Sequence, residues 1–209
     1  MNLSLRKSRP LDRTIPHLRD TRLIVIATEG ECTERQYFEL FREQSTRVQI
    51  LVLETHGGHS APKHLFERLL RFKRDQNLIT GDQLWLVLDK DRWPDAQISD
   101  IASRAFKHKF SMAVSTPCFD FWLYLHHSGD IERVRNFSAK EMKQTLRELL
   151  GSYNPSHLDT QRFEPYVDIA AERAKSLDIS PTDRWPNTLG THVYRVIEAI
   201  KELTKTDAI

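Results

Sequence analysis

The stretch Leu23-Ile24-Val25-Ile26-Ala27-Thr28-Glu29-Gly30 decides the fold class of this chain. Its first five residues are continuously apolar and rich in β-branched side chains, the composition of a strand buried on both faces, as in a parallel sheet. The run delivers an acidic turn at Glu29-Gly30, and Tyr37, Phe38 and Phe41 then carry helical spacing. Thr33, followed three residues later by Gln36, reads as a capping box at the start of that helix. The unit is strand, acidic turn, helix.

The pattern recurs along the chain. Val48 to Leu53 reads as a second strand, Gly57-Gly58 as a turn, and Pro62 as the opening of a helix with Leu65, Phe66, Leu69 and Leu70 on its apolar face. Gln83 to Leu88 reads as a third strand ending in Asp89-Lys90-Asp91. Pro94 fits another helix start, with Ile98, Ile101, Ala102 and Ala105 on one stripe, and Phe110 to Val114 a fourth short strand. Alternating strands and helices imply an α/β fold with a mainly parallel sheet and helices on both faces, because parallel neighbours need crossover helices. Beyond Val114 the pattern becomes helical, with segments expected at Cys118 to His127, Ala139 to Leu150, Val167 to Leu177 and Thr191 to Leu203. The expected organisation is a basic N-terminal arm (1–21), an α/β domain (22–128) and a helical C-terminal extension packed on that domain (129–209).

Composition bounds the function. A chain of 209 residues with 39% hydrophobic and 29% charged residues can bury a core and is neither disordered nor fibrous as a whole. The balance of 31 Lys plus Arg against 29 Asp plus Glu leaves +2, too little for a general nucleic-acid coat, so a polyanion site would be a local patch. Cys32 and Cys118 form no CxxC, which suits a reducing cytoplasm rather than a disulfide framework or a zinc ribbon. No apolar run is long enough for a membrane helix, and the N-terminal residues lack a secretory pattern. Only seven glycines occur and no phosphate-cradling glycine loop is present, so nucleotide-driven work is expected of a partner.

In open parallel sheets ligands bind beyond the carboxyl ends of the strands, which points at Glu29 and at Asp89 with Asp91. Residues two apart in an extended chain share a side, so Asp89 and Asp91 can present two hard oxygen donors together. With Glu29 on a neighbouring strand end, the set suits a hard divalent cation such as Mg²⁺. The bland reading is that strand-end acids cap helices or lie in solvent. Glu31 and Glu34, at a helix entry, are assigned that capping role. Lys90 and Arg92 beside the acids, and Arg71, Lys73 and Arg74 in a basic run with Arg68, are candidates for phosphate contact, against the ordinary role of solvated charges. His56 and His59, flanking the glycine turn, and His126 are weaker site candidates, His126 against a packing role in the core. Cys118, Phe119, Phe121 and Trp122 read as core.

The segments Ile26-Ala27-Thr28-Glu29-Gly30-Glu31-Cys32-Thr33-Glu34-Arg35-Gln36-Tyr37-Phe38 and Trp85-Leu86-Val87-Leu88-Asp89-Lys90-Asp91-Arg92-Trp93 resemble the RloB-like proteins, Toprim-related proteins of bacterial restriction and abortive-infection loci. Ser115 to His126, Ala170 to Lys175 and Gly190 to Ile197 are similar to further family motifs in the same order, so the resemblance spans roughly Leu23 to the end. It implies a Toprim, Rossmann-like fold in which Glu29, Asp89 and Asp91 are catalytic and hold Mg²⁺ or Mn²⁺. Asp120 stands where the family usually has Glu, one methylene shorter, and His192 where Asn is common. The activity implied is that of a metal-dependent nuclease, an antiphage abortive-infection effector acting on nucleic acid, with RNA or tRNA favoured over DNA. An ATPase encoded nearby is the implied partner, and a homo-oligomer is open. The rivals are a non-catalytic nucleic-acid- or ATPase-binding subunit and a nucleotide phosphohydrolase.

Overall fold

A computed structural model describes residues 21–42, 45–55 and 60–205. The basic arm, apart from Thr21, and both His56 and His59 therefore lie outside the described residues. The strands are β1 (Arg22–Thr28), β2 (Val48–Leu53), β3 (Gln83–Asp89), β4 (Ser111–Thr116) and β5 (Gly190–Thr191). The helices are α1 (Thr33–Glu39), α2 (Pro62–Asp75), α3 (Asp95–His108), α4 (Phe119–His127), α5 (Ile131–Val134), α6 (Ala139–Leu150), α7 (Val167–Leu177) and α8 (Val193–Lys205). Two 3-10 turns, Thr160–Arg162 and Glu164–Tyr166, lead into α7.

The sheet runs β2-β1-β3-β4-β5, with the first four strands parallel and β5 antiparallel to β4. Side-chain alternation sorts the core into two layers. Leu23, Val25 and Ala27 of β1 and Leu84, Leu86 and Leu88 of β3 face Leu65, Phe66 and Leu69 of α2 and Ile101 and Ala105 of α3. Ile24 and Ile26, with Trp85 and Val87, face the other way, onto Tyr37, Phe38 and Phe41 of α1 and the helices after β4. Both faces of β1 and β3 are thus apolar, which is why these strands read as unbroken hydrophobic runs. The expected α/β class is what the fold shows. Chain connections leave β1 toward β2 on one side and return past it to β3 on the other, so the carboxyl ends of β1 and β3 form a switch point where the crossovers diverge.

The C-terminal helices complete the α1 side. Helix α4 is buried nearly all round, with Phe121, Trp122, Leu123 and Leu125 wholly enclosed between the sheet and α6, α7 and α8. Asp178 accepts from Tyr194 Oη (2.7 Å) and Arg195 Nη2 (2.7 Å), just after β5, and lies 3.3 Å from His192 Nε2, tying the loop after α7 to the start of α8. Burial lowers the His192 pKa to about 4, so this histidine is a neutral partner of that cluster.

The capping box expected at Thr33 and Gln36 is not formed. Thr33 Oγ1 donates to Pro155 O (2.8 Å), Gln36 Nε2 donates to Ser156 O (3.0 Å) and Leu158 N donates to Gln36 Oε1 (2.7 Å). These side chains instead pin the 153–158 segment across the first turn of α1. A reciprocal capping box does form at Ser138 and Glu141, at the start of α6, and Gly151 in the left-handed region (φ 70°) ends that helix. Strand β5 had no counterpart in the sequence pattern, since two residues cannot display a period.

Candidate acidic site

The sheet brings Glu29 and Asp89 together as the register requires. Thr28 pairs with Val87, and the ladder continues as Glu29 N donates to Val87 O (3.3 Å). Glu29 is 2% exposed. Its Oε2 accepts from Asp89 N (3.3 Å) and from the Trp93 indole Nε1 (2.9 Å). Its Oε1 lies 2.8 Å from Arg92 Nη1, yet makes no directed hydrogen bond there or elsewhere among the described residues. The two residues after the D-x-D turn therefore hold Glu29, one by hydrogen bond and one by charge. Burial raises the Glu29 pKa, against the lowering pull of Trp93 and Arg92.

Asp89 turns toward the α1 and α4 side, where its Oδ1 accepts from Phe119 N (2.9 Å) at the N-terminus of α4. Burial pushes its pKa well up, and Glu34, Glu29, Asp91 and Asp120 all add to the rise. Asp91 lies in the exposed turn beyond the strand, and burial raises its pKa as well, with Arg92 opposing. Asp120, in the first turn of α4, accepts from Tyr153 Oη and faces Cys118 Sγ at 4.0 Å. Its pKa is raised by burial, against Tyr153, Lys143 and Arg147.

Glu34 corrects the sequence reading. It does act at the helix entry, its Oε1 accepting from Gly30 N (3.1 Å), but it is 7% exposed and part of the acid cluster. Burial, with the charges of Asp120 and Glu29, raises its pKa to about 7. Gly30 permits this fold-back, for a Cβ there would lie 1.9 Å from Glu34 Oε2. Glu31, by contrast, is exposed. Trp93 and Tyr153 were also missed as site residues, for nothing in their local sequence shows which carboxylate each will reach.

Other expectations fare differently. His126 is 2% exposed and belongs to the core rather than the acid cluster. Its Nδ1 faces the Trp122 carbonyl (3.0 Å), which fixes that nitrogen as donor and leaves Nε2 to accept from Tyr37 Oη (3.0 Å). Burial depresses its pKa to about 3, so it remains neutral. Lys90 is bound to Asp95 at the start of α3 and is not directed at the acids. Arg71, Lys73 and Arg74 lie in the last turns of α2, which runs antiparallel to the strands, so they stand at the amino edge of the sheet, opposite the acids. Lys73 there donates to His108 O (2.8 Å), at the C-terminus of α3. Arg68, one turn earlier, reaches the carboxyl edge and donates to Thr28 O (2.8 Å) and Glu54 O (2.7 Å), stitching the ends of β1 and β2. Cys118 is buried and its thiol pKa is pushed up by burial and by Asp89 and Asp120, which suits packing rather than nucleophilic attack.

The donor chemistry fits a hard divalent cation: carboxylates that raise one another's pKa values, and a buried Glu29 oxygen without a directed hydrogen bond, are what such an ion relieves. Among the described residues no three His, Cys, Asp or Glu side chains are already grouped as a metal site, so the set is loose as it stands. A groove of about 580 Å³ adjoins the cluster between the first turns of α2 and α3, lined by Lys63, His64, Trp93, Gln97 and Arg104 among others. No described helix is long and apolar enough to cross a membrane.

Fold and site together define an α/β protein with an acidic centre at the switch point of a mainly parallel sheet. The chain belongs to the RloB-like protein family, whose model matches residues 24–200. Comparison with curated proteins and with solved structures gave no match in either.

Proposed function

We propose that the protein is a metal-dependent nuclease of the Toprim type, the effector of an antiphage abortive-infection system, acting in the cytoplasm on RNA, tRNA in particular, ahead of DNA. The observation that carries this reading is the gathering of Glu29, Glu34, Asp89, Asp91 and Asp120 around the carboxyl ends of β1 and β3, in a chain of the RloB-like family. The preference for RNA, and the ATPase partner that would trigger the effector, rest on the family resemblance.

Asp89, Asp91 and Glu29 would hold Mg²⁺ or Mn²⁺, with Glu34 and Asp120 close enough to contribute charge. When bound, the cation supplies Lewis acidity toward a phosphoryl oxygen. Trp93 fixes one Glu29 oxygen and leaves Oε1, beside Arg92, without a directed hydrogen bond, and the raised pKa of Glu29 suits it to the alternative role of accepting a proton from an attacking water. Phe119 N holds Asp89 in place. Arg92, drawn to Glu29 here, has its guanidinium within reach of a phosphate bound at the same edge.

Purified full-length protein incubated with total RNA and with plasmid DNA, in Mn²⁺ or Mg²⁺ and with the partner ATPase, tests the reading. Cleavage by wild type that is lost in Glu29→Ala and Asp89→Ala is the expected result. Equal survival of both substrates with wild type and mutants rejects it. A non-catalytic binding subunit is favoured by the loose arrangement of the acids and by the Arg92–Glu29 ion pair. Calorimetric Mn²⁺ titration separates the two, since a scaffold shows no Mn²⁺ binding that Asp89→Ala removes.

A further inference from the structure

Helix α6 is polarised in a way that its packing does not require. Met142, Thr145, Leu146 and Leu150 are its buried stripe. At 100° per residue, Lys140, Lys143 and Arg147 fall within an arc of about 60° on one flank of that stripe, while Glu141 and Glu148 fall on the opposite flank. The acidic flank is accounted for: Glu141 closes the capping box and Glu148 pairs with Arg133 (3.8 Å). On the basic flank, Lys140, Lys143 and Arg147 make no ion pair with any described residue; Lys140 and Arg147 are exposed and Lys143 is half-buried.

Two members of that flank lie near the acidic site. Lys143 and Arg147 both act electrostatically on Asp120, and the chain leaving α6 places Tyr153 on the same carboxylate. Helix α6 packs directly on α4, whose first turn carries Asp120 and whose Phe119 N–H holds Asp89. A row of cations one helix away from a carboxylate centre, unmatched by anions of its own, complements a chain of phosphates whose scissile member lies over the acids.

We infer that the Lys140–Lys143–Arg147 flank of α6 is the docking surface for the phosphate backbone of the nucleic-acid substrate, delivering it to the acids at the β1/β3 edge. This rests on the nuclease reading for the substrate and deepens it by placing the track. It also replaces the Arg71, Lys73 and Arg74 run, which stands at the other edge of the sheet. The competing role for these cations is to neutralise Asp120 alone, which would leave nucleic-acid affinity untouched when they are removed.

The test measures binding without turnover. Fluorescence anisotropy with labelled single-stranded RNA and single-stranded DNA, in EDTA, compares full-length wild type with Lys143→Glu/Arg147→Glu, with the neutral pair Lys143→Gln/Arg147→Gln, and with Arg71→Glu/Arg74→Glu. The α6 reversal should weaken binding about tenfold or more, and the neutral pair should lower the slope of log K against log salt by about 1.4 units. The α2 reversal should stay within about twofold of wild type, since it lies off the track. The RNA and DNA arms show which backbone is preferred. Wild-type affinity in the α6 variants, equal loss in the α2 variant, or no binding by wild type to either polymer overturns the inference. Binding that depends on α6 in a protein that cleaves nothing leaves the docking surface standing and rejects the nuclease reading. Cleavage by wild type with binding unchanged in the α6 variants does the reverse.

Discussion

Glu34 shows how one side chain can be read correctly in its local role and still be missed in the site. The sequence places it at a helix entry, where carboxylates favour the positive end of the dipole, and it does accept the Gly30 N–H. What the local pattern does not carry is that α1 starts beside the carboxyl ends of β1 and β3, so the same carboxylate meets Glu29, Asp89 and Asp120. Its pKa of about 7, against an ordinary 4.5, makes a stability prediction. Between those values the folded chain keeps the proton that the unfolded chain releases, so stability falls as pH rises from 4.5 to about 7 and stays low above. Glu34→Gln mimics the protonated acid and keeps an acceptor for Gly30. It should stabilise the metal-free protein at pH 8 by up to about 3 kcal/mol, a rise of several degrees in Tm, and the gain should vanish toward pH 4.5. Thermal melts at the two pH values check this, and coincident melts at pH 8 contradict it.

Among the elements, legibility follows length and context. Strands β1 and β3 were plain because burial on both faces makes an unbroken apolar run, and α2, α3 and α6 because their buried positions recur at helical spacing. Strand β5 and helix α5 are too short to show any period. Thr33 and Gln36 look like a local cap yet bond to residues more than a hundred positions away, a pairing that only the packed C-terminal segment creates. The seam between α1 and α4 was half visible: its aromatics read as core, while the Tyr37–His126 hydrogen bond inside it did not. Tyr37→Phe removes the donor to His126 Nε2 and leaves that nitrogen buried and unmatched, at a cost of about 1–3 kcal/mol in chemical denaturation. The depressed His126 pKa adds a pH dependence of its own. From 6.5 down to about 3 the unfolded chain takes up a proton that the folded chain refuses, so stability falls as pH drops through that window. His126→Phe should flatten that acid limb relative to wild type; an unchanged limb would mean that other groups govern it.

At the scale of the molecule, the acidic site is an edge with a different surface on each side. On the α2 and α3 face lies the groove beside Trp93, whose indole also grips Glu29. On the α4 and α6 face lies the basic flank of Lys143 and Arg147. The sequence located the edge itself, because Glu29, Asp89 and Asp91 follow apolar strands, and it put Lys90 and Arg92 there, but its Arg71, Lys73 and Arg74 run stands at the opposite edge. Helix polarity explains the error: a βαβ crossover puts the last turns of α2 at the amino ends of the strands, and a charge run read along the chain carries no such direction. On the nuclease reading, a polynucleotide that meets both surfaces crosses the sheet edge over the acids. Bis(p-nitrophenyl) phosphate, which offers one diester and no neighbouring phosphates, reports on the acids alone. Its Mn²⁺-dependent hydrolysis should therefore be lost in Asp89→Asn and nearly unchanged in Lys143→Glu/Arg147→Glu, while polynucleotide cleavage falls in both, in the α6 variant through KM more than kcat. Loss of small-diester hydrolysis in the α6 variant would instead assign Lys143 and Arg147 to the chemistry of the site, as counter-charges that Asp120 needs.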